Sequence, residues 1–383
     1  MITRVLQETL LKAAAAFPVV TVTGPRQSGK TTLARMCFPE YEYRNLEDPS
    51  LRAIAAHDPK GFLQTQAKGI ILDEFQKQPE LASYIQVAID EDNTPGRFIL
   101  TGSQHLEVSR TVSQSLAGRT AVLRLLPLSY SELYGESRVP VDELLFGGFF
   151  PRIFDQRQDP SLALESYLRT YIERDLRDIS QVHNLRQFQQ FLKLCAAQVG
   201  QIVNFSRIGN DIGVNYKTIQ SWLSILEASF IIFLLPPYHR NFRKRVVKSP
   251  KLYFYDVGLA AHLLGVSTKE HIATIPTKGS LFENFVVMDI LKELIHTNAN
   301  TSLYFYRDSN GHEIDLILEQ AMSTIAVEIK MSQTYSTDFT NNLSRYATLD
   351  THLKKQFIIY SGEDFKLGDG RDMLHYSRGK HVV

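Results

Sequence analysis

Cysteine is nearly absent from this chain, with only Cys37 and Cys195 among 383 residues. Two cysteines so far apart form neither a disulfide framework nor a zinc-ligand motif, and we expect both to pack as small hydrophobic side chains. An excess of either charge is also missing, since 42 basic residues face 41 acidic ones and the net charge is +1. Any contact with nucleic acid must therefore come from a local basic patch, not from the charge of the whole chain.

Long apolar runs are missing as well. No segment approaches the roughly 18–20 consecutive apolar residues that span a bilayer, and residues 1–7 lack the hydrophobic stretch of a signal peptide. We therefore expect no membrane partner and a cytoplasmic location. A composition of 44% hydrophobic and 22% charged residues is that of an ordinary globular protein. The length of 383 residues exceeds one typical core, so roughly two to four domains are expected.

The most informative feature that is present is a glycine-rich loop between a strand and a helix. The loop reads Gly-Pro-Arg-Gln-Ser-Gly-Lys-Thr over residues 24–31, a complete Walker A pattern. The β-branched run before it, at 17–22, is typical of a buried parallel strand, and residues 32–36 can begin a helix. The backbone N–H groups of such a loop, together with the helix N-terminus, bind phosphate. We predict that ATP is bound by Gly24, Pro25, Arg26, Gln27, Ser28, Gly29, Lys30, Thr31 and Thr32.

A second segment supports this interpretation. Residues 69–74 form an apolar strand that ends in Asp73 and Glu74, and a carboxylate at the end of a parallel strand lies beside the phosphate loop. Lys30 is expected to reach the β- and γ-phosphates, while Thr31 and Asp73 hold Mg²⁺. Glu74 is expected to orient the attacking water.

Strands and helices alternate through this first part of the chain, which indicates a parallel, doubly wound α/β sheet. A glycine pair at 147–148 then marks a plausible domain boundary. The predicted helices are 3–15 and 81–90, and the predicted strands are 17–22, 41–46, 69–74, 97–103 and 121–125.

Residues 201–227 predict a helix-turn-helix. Ser206 is expected to cap a first helix at 207–212, residues 213–215 form the turn, and a second helix covers 216–226. Lys217 and Gln220 are left on the outer face of this second helix. Strands at 230–235 and 251–255 would form a wing.

The densest basic run of the chain lies between these two wing strands, at 238–248, and includes Arg243, Lys244 and Arg245. One interpretation is contact with the phosphate backbone of DNA. The alternative is that the wing contacts an acidic protein surface.

The last quarter contains a second set of charged residues. In the strand at 324–330, Glu328 and Lys330 share one face because successive side chains alternate. Asp315 lies on the preceding strand of the same hairpin, and Glu283 lies on a helix upstream. Asp315 and Glu328 can share Mg²⁺ beside a scissile phosphate, with Lys330 stabilising charge or helping to deprotonate water. The alternative is a charged sheet edge with unrelated ion pairs.

These segments resemble the prokaryotic AAA-type ATPases that carry a C-terminal domain of the DUF4143 type, and that domain resembles PD-(D/E)xK nucleases. The resemblance runs nearly end to end. It is carried by residues 24–31, 71–74, 100–103, 115–119, 127–133, 147–151, 248–253, 282–286, 313–315 and 328–330.

The resemblance implies several roles. Ser103 would occupy a sensor position near the γ-phosphate or the attacking water, and Arg119 would reach a nucleotide, its own or that of a neighbouring chain. The corner at 147–148 would line the adenine site. Either Glu313 or Asp315 could be the metal ligand, and the family pattern favours Asp315.

The expected fold class is therefore α/β with four parts: a P-loop AAA-like ATPase core (1–146), a helical lid (147–200), a winged helix-turn-helix (201–262) and a restriction-endonuclease-like α/β domain (263–383). The expected function is ATP binding and hydrolysis together with a DNA-directed, metal-dependent nuclease activity, with ATP and Mg²⁺ as cofactors and a homo-oligomer as one possible assembly. The alternative is a nucleotide-switched DNA-binding regulator whose nuclease-like domain only recognises nucleic acid or a partner.

Overall fold

The computed structural model describes residues 2–103, 116–172, 184–238 and 248–383. These residues divide into two compact units. The first contains the chain up to Leu128 together with Ala228–Phe230 and Ile295–Asn298, and the second contains the remainder. Within these ranges no helix is long and apolar enough to cross a membrane.

The first unit is built on a five-stranded sheet, as the alternating sequence pattern predicts. Its strand order is β2-β3-β4-β1-β5, and all of its pairings are parallel. The strands are β1 (Val19–Thr23), β2 (Glu42–Asn45), β3 (Ile70–Asp73), β4 (Phe98–Gly102) and β5 (Thr120–Arg124). The helices are α1 (Leu6–Ala16), α2 (Lys30–Cys37), α3 (Pro49–His57), α4 (Pro59–Phe62) and α5 (Leu81–Glu91).

Both faces of this sheet are buried, which explains why its strands are continuous apolar runs. Ile70 and Leu72 of β3 pack into one hydrophobic cluster, which includes side chains of α3, α4 and α5. Ile71, between them, packs into the other cluster with side chains of α1 and α2. The parallel, doubly wound prediction is confirmed by this arrangement.

The second unit begins with short helices and continues with two helices and a hairpin. The helices are α6 (Tyr130–Tyr134), α7 (Val141–Gly147), α8 (Pro151–Asp155), α9 (Pro160–Tyr167), α10 (Leu185–Ala197), α11 (Phe205–Ile212) and α12 (Tyr216–Ala228). Strands β6 (Ile232–Leu235) and β7 (Lys251–Phe254) pair antiparallel.

Helices α11 and α12 are the predicted helix-turn-helix pair. Helix α11 begins at Phe205, and its N-terminal cap is Asn204, whose side chain accepts a hydrogen bond from the N–H of Arg207 at 3.0 Å. The predicted cap at Ser206 is therefore wrong, because the helix begins at Phe205, two residues before its predicted start at 207. Gly213 ends α11 in the left-handed conformation that the turn requires.

The last part of the second unit is a six-stranded mixed sheet of order β12-β13-β11-β10-β9-β8. Its strands are β8 (Ser302–Arg307), β9 (Glu313–Gln320), β10 (Ser323–Lys330), β11 (Leu353–Tyr360), β12 (Phe365–Lys366) and β13 (Asp372–His375). The remaining helices are α13 (Val257–Leu263), α14 (Lys269–Thr274), α15 (Lys278–His296) and α16 (Asn341–Ala347). Strands β9 and β10 form the expected tight hairpin, in which Val327 pairs with Leu316.

Most of the predicted helical, winged-helix and C-terminal domains belong to one compact unit in this structure, and the N-terminal stretch of the first unit ends at Leu128, before the predicted boundary at 146. Hydrogen bonds between backbone groups explain in part why these predicted domains form one unit. The N–H of Tyr238, after β6, donates to the carbonyl of Phe305 in β8 at 2.7 Å, and the N–H of Phe305 donates to the carbonyl of Pro236 at 3.1 Å. The hairpin β6–β7 is thus joined to the C-terminal sheet by hydrogen bonds.

The glycine pair between α7 and α8 has a structural explanation in the second unit. Gly148 has φ +62°, and a Cβ atom built there would lie 2.4 Å from a carboxylate oxygen of Asp256. That carboxylate caps α13 by accepting from the N–H of Leu259 at 2.9 Å, and it also accepts from the N–H of Phe149 at 2.6 Å. Only glycine permits both the backbone angle and the close approach.

We expect Gly148→Ala to lower the free energy of unfolding by roughly 2–4 kcal/mol, because left-handed strain and displacement of the Asp256 carboxylate act together. Gly147→Ala is the matched control, since a Cβ there meets nothing within 4 Å. Chemical denaturation of both variants measures the difference. Equal stability of the two would contradict this explanation of the corner.

Candidate functional site

The phosphate loop connects the carboxyl end of β1 to the N-terminus of α2, as predicted. Gly24 has φ +146°, and a Cβ atom there would lie 2.1 Å from the carbonyl oxygen of Leu125. Gly29 caps α2 in the left-handed conformation. Both glycines are therefore required by the backbone, and the loop presents a helix N-terminus to a ligand.

A buried arginine that the motif does not include holds this loop. The guanidinium of Arg4 donates to the carbonyls of Ser28 and Leu126, both at 2.7 Å. Arg4 is only 7% exposed. It precedes α1 and is far from the loop in sequence, so no local pattern could indicate it.

Lys30 lies buried across the loop. Its ammonium donates to the carbonyls of Gly24 at 3.1 Å and Pro25 at 2.7 Å. Burial lowers the pKa of Lys30 to about 8, against the opposing effect of the carboxylates of Glu74 and Asp73. The cation is thus held inside the loop by main-chain carbonyls.

The other loop residues differ in exposure. Gln27 has φ +62° and is exposed, Arg26 is half-buried, and Ser28 is buried with a hydroxyl oxygen that has no hydrogen-bond partner. Pro25 is buried, while Thr32 is exposed on the first turn of α2.

Asp73, at the end of β3, is the centre of a hydrogen-bond network. Its carboxylate accepts hydrogen bonds from the hydroxyls of Thr31 and Tyr43, both at 2.8 Å, and from the hydroxyl of Thr101. The predicted pair of Thr31 and Asp73 is therefore brought together. Tyr43 and Thr101 were missed, although both lie on strands that neighbour β3.

Glu74 and Ser103 also meet. Glu74 has φ +54°, and its carboxylate accepts a hydrogen bond from the Ser103 hydroxyl at 3.2 Å and another from the side-chain amide of Gln76. The same amide lies 3.2 Å from the Ser103 hydroxyl. Gln76 is a further residue that sequence reasoning missed, and its position two residues after Glu74 was the only available signal.

Arg119 lies at the end of the strands opposite to the phosphate loop. It precedes β5, which runs parallel to β1 with Thr120 beside Val19, whereas the phosphate loop follows Thr23. The five residues of the strand separate its two ends by about 13 Å. The Arg119 guanidinium is paired with Asp90 at 2.7 Å. A role at its own nucleotide does not fit this placement, because the side chain is too short. A role at the nucleotide of a neighbouring chain stays a prediction.

The second predicted site is also assembled. Lys330 donates to the carboxylate of Glu328 at 2.8 Å and lies 3.7 Å from that of Asp315. The N–H of Ile329 donates to Asp315 at 2.8 Å, which orients this carboxylate toward β10. Asp315 and Glu328 are 7% and 1% exposed. The hairpin register therefore places two buried acids beside a half-buried lysine.

Burial and mutual repulsion set the protonation of this pair. Burial raises the pKa of Glu328 well above its ordinary value, and the neighbouring Asp315 carboxylate raises it further. Burial acts in the same direction on Asp315, but Lys330 and Lys251 outweigh it and lower the pKa of this carboxyl. Of the two carboxyls, Asp315 is therefore the one that ionises more readily.

Glu283 lies on α15 but contacts a different lysine. Its carboxylate accepts from the Lys251 ammonium at 2.9 Å and from the Tyr253 hydroxyl at 2.7 Å. Lys251 is also paired with Glu313 and lies 3.9 Å from Asp315. Lys251 and Tyr253 belong to β7, so a strand assigned from sequence to the wing contributes to the C-terminal cluster. Sequence reasoning missed both.

Two other predicted residues, Lys217 and Gln220, are exposed on α12. Arg243, Lys244 and Arg245 lie outside the described residues, so the basic run between β6 and β7 is untested.

Three sequence families match successive parts of the chain. An AAA domain matches residues 16–134, a domain of unknown function, DUF8612, matches 139–270, and a second, DUF4143, matches 278–378. The uncharacterized protein Rv2008c of Mycobacterium tuberculosis is 31% identical over 366 residues, which cover 94% of this chain and 80% of that protein. The chain belongs to the family of Rv2008c. The AAA domain of this chain contains the phosphate loop, Asp73, Glu74 and Ser103. The two family matches confirm the predicted P-loop ATPase architecture and the DUF4143 domain.

More distant proteins are similar over most of their length. The uncharacterized protein MJ1544 of Methanocaldococcus jannaschii is 22% identical and covers 78% of this chain and 72% of its own length. Among solved structures, a Walker-type ATPase of Pyrococcus abyssi is 15% identical, covers 67% of this chain and 94% of its own, and has a TM-score of 0.41.

Two substitutions separate nucleotide binding from turnover in the AAA domain. Lys30→Ala should weaken ATP affinity about 10- to 100-fold, because it removes one charge-assisted hydrogen bond worth roughly 1.5–3 kcal/mol. Glu74→Gln should leave affinity nearly unchanged and stop hydrolysis. Equilibrium binding and phosphate release measure the two quantities, with Lys60→Ala, at an exposed position of α4, as the control. If Glu74→Gln hydrolyses ATP like the parent, Glu74 does not orient the water.

Proposed function

We propose that this protein hydrolyses ATP in its AAA domain and cleaves DNA phosphodiester bonds, with a divalent metal, at the cluster of Asp315, Glu328 and Lys330. The observation that carries the nuclease part is the convergence of two buried carboxylates and a lysine from adjacent strands of one hairpin. This residue set suits metal-assisted hydrolysis, because carboxylates hold the ion and an ammonium lies beside them.

In the AAA domain, Thr31 and Asp73 fit Mg²⁺. Their oxygens lie 2.8 Å apart at the start of α2, and both are the hard donors that this ion prefers. A bound Mg²⁺ would offset charge on the β- and γ-phosphates. The Lys30 ammonium would bind the same phosphates, and the Glu74 carboxylate, held by Ser103 and Gln76, would orient the attacking water.

In the C-terminal cluster, the fit to a metal rests on an unsatisfied atom. Oxygen Oε1 of Glu328 is buried and has no hydrogen-bond partner, and the Asp315 carboxylate lies next to the same side chain. Two carboxylates are enough for Mg²⁺, which otherwise keeps waters or binds substrate phosphate. A bound ion would polarise the scissile phosphate and lower the pKa of its water. Lys330 would place a positive charge near the developing negative charge on phosphate oxygen.

DNA is the proposed substrate because the same unit carries a helix-turn-helix with exposed Lys217 and Gln220 on its second helix. Such a helix reads the major groove in many DNA-binding proteins. The basic run at 243–245 would add contacts to phosphates.

The alternative function is a nucleotide-switched DNA-binding regulator without nuclease activity. Charge compensation favours it: Lys251 and Lys330 already neutralise part of the acidic cluster. In addition, the described part of the chain has no group of three or more His, Cys, Asp or Glu side chains arranged to hold a metal ion.

Metal-dependent cleavage distinguishes the two functions. The parent should nick plasmid DNA with Mg²⁺ or Mn²⁺ and be inactive in EDTA. Asp315→Asn should abolish cleavage because a metal ligand is weakened, whereas Lys330→Ala should cleave poorly but still bind metal. Asp338→Asn, at an exposed acid of the same unit, is the control, and ATP turnover should survive in all three. An ATPase-competent parent that cuts neither DNA nor RNA would favour the regulator.

The salt dependence of DNA binding tests the role of the basic run. Replacing Arg243, Lys244 and Arg245 with Ala should weaken duplex binding and flatten the log–log slope against salt by about 0.9 for each phosphate that the protein no longer neutralises. Alanine at Lys12, Lys60 and Lys68, three exposed lysines of the first unit, is the matched control for net charge. An unchanged slope would indicate that the basic run contacts protein instead.

A further inference from the structure

The C-terminal cluster contains a lysine that the proposed hydrolysis does not use. Lys251 is 2% exposed although its side chain carries a charge, and such a charge is stable inside a protein only when it is paired.

Three carboxylates surround this ammonium. It lies 2.9 Å from Oε1 of Glu283, in contact with Oε1 of Glu313, and 3.9 Å from Oδ1 of Asp315. Several carboxylate oxygens around one cation form the kind of environment that a divalent ion takes in proteins. Here the cation is the Lys251 ammonium, and with it in place the described residues contain no group of three such side chains arranged to hold a metal ion.

The two oxygens of Asp315 face different cations. Oδ2 lies 3.7 Å from the Lys330 ammonium and accepts from the N–H of Ile329, whereas Oδ1 faces Lys251. Asp315 thus divides the cluster into two parts. One contains Glu328 with its unsatisfied oxygen Oε1, and the other contains Glu283 and Glu313 around Lys251.

The backbone holds Lys251 in place from both sides. Lys251 pairs with Leu235 of β6 on one side and forms a β-bridge with Ile202 on the other. The N–H of Leu252 also donates to the carbonyl of Gln201 at 3.1 Å. The main chain at Lys251 is thus fixed by pairing on both edges of its strand, and ion pairs with Glu283 and Glu313 hold its ammonium.

We infer that Lys251 is a built-in cation, whose ammonium occupies the place among Glu283, Glu313 and Asp315 that a second divalent ion would take, and that it confines metal binding to Asp315 and Glu328. Lys251 is then a positioning residue of a site that holds one metal ion. This inference rests on the proposed metal-dependent function of the same cluster.

Metal counting tests it without relying on activity. The full-length protein, without nucleotide, is titrated with Mn²⁺ while electron paramagnetic resonance reports the free ion. Only sites that disappear in Asp315→Asn are counted, because Asp315 belongs to both parts of the cluster. The parent should bind one ion there. Lys251→Met, which keeps the length and removes the charge, should bind two, and Lys251→Arg, which keeps the charge, should bind one.

The outcomes separate the two proposals. A parent that binds two ions, or a Lys251→Met variant that gains none over its parent, overturns the role of Lys251. A parent that binds none overturns the metal-dependent function, while a site gained in Lys251→Met would still support the built-in cation. If Lys251→Met does not fold, Lys251→Met combined with Glu313→Gln removes one charge of each sign and should still gain an ion through Glu283 and Asp315. Failure of a folded double variant to gain one also overturns the inference.

Discussion

Buried lysine held against oxygen atoms is the interaction on which each candidate site depends. Lys30 is 6% exposed and donates to carbonyls of its own loop, while Lys251 is 2% exposed among carboxylates. Removing an ammonium from water is costly, so the surrounding oxygens must be in place before the charge is tolerated. This requirement explains why both lysines lie in rigid surroundings: a glycine-constrained loop for Lys30 and a strand paired on both edges for Lys251.

The two lysines have different surroundings and therefore different uses. Around Lys30 the nearest acceptors are neutral carbonyls, burial lowers its pKa to about 8, and its charge is poorly compensated. Such a cation is suited to a polyanionic ligand, since the phosphates supply the missing counter-charge. Around Lys251 the carboxylates already supply it. The two buried lysines thus differ in their nearest partners, which are carbonyls for Lys30 and carboxylates for Lys251.

Much of the architecture follows from local sequence patterns. The first sheet was predictable because its strands are apolar runs that alternate with helices. The phosphate loop was predictable because the spacing of its glycines and lysine is visible in the sequence. The pairing of Asp315 with Glu328 and Lys330 was predictable because a short turn between β9 and β10 determines the register. One prediction was wrong: the cap of α11 is Asn204 and not Ser206, because that helix begins at Phe205. The pairing of Arg119 with Asp90 was missed because the two residues are far apart in sequence.

The sequence by itself determined the phosphate loop, the alternation of strands and helices, and the acids and lysine of the C-terminal hairpin. In each of these the interacting residues are close in sequence or linked by a periodic pattern. Only the tertiary structure placed Arg4 against the loop, Tyr43 and Thr101 on Asp73, and Lys251 among Glu283, Glu313 and Asp315. These contacts join residues from separate elements, and their partners depend on which strands become neighbours. The order of the strands is decided by the burial of whole sheet and helix faces. A short sequence pattern therefore cannot predict it.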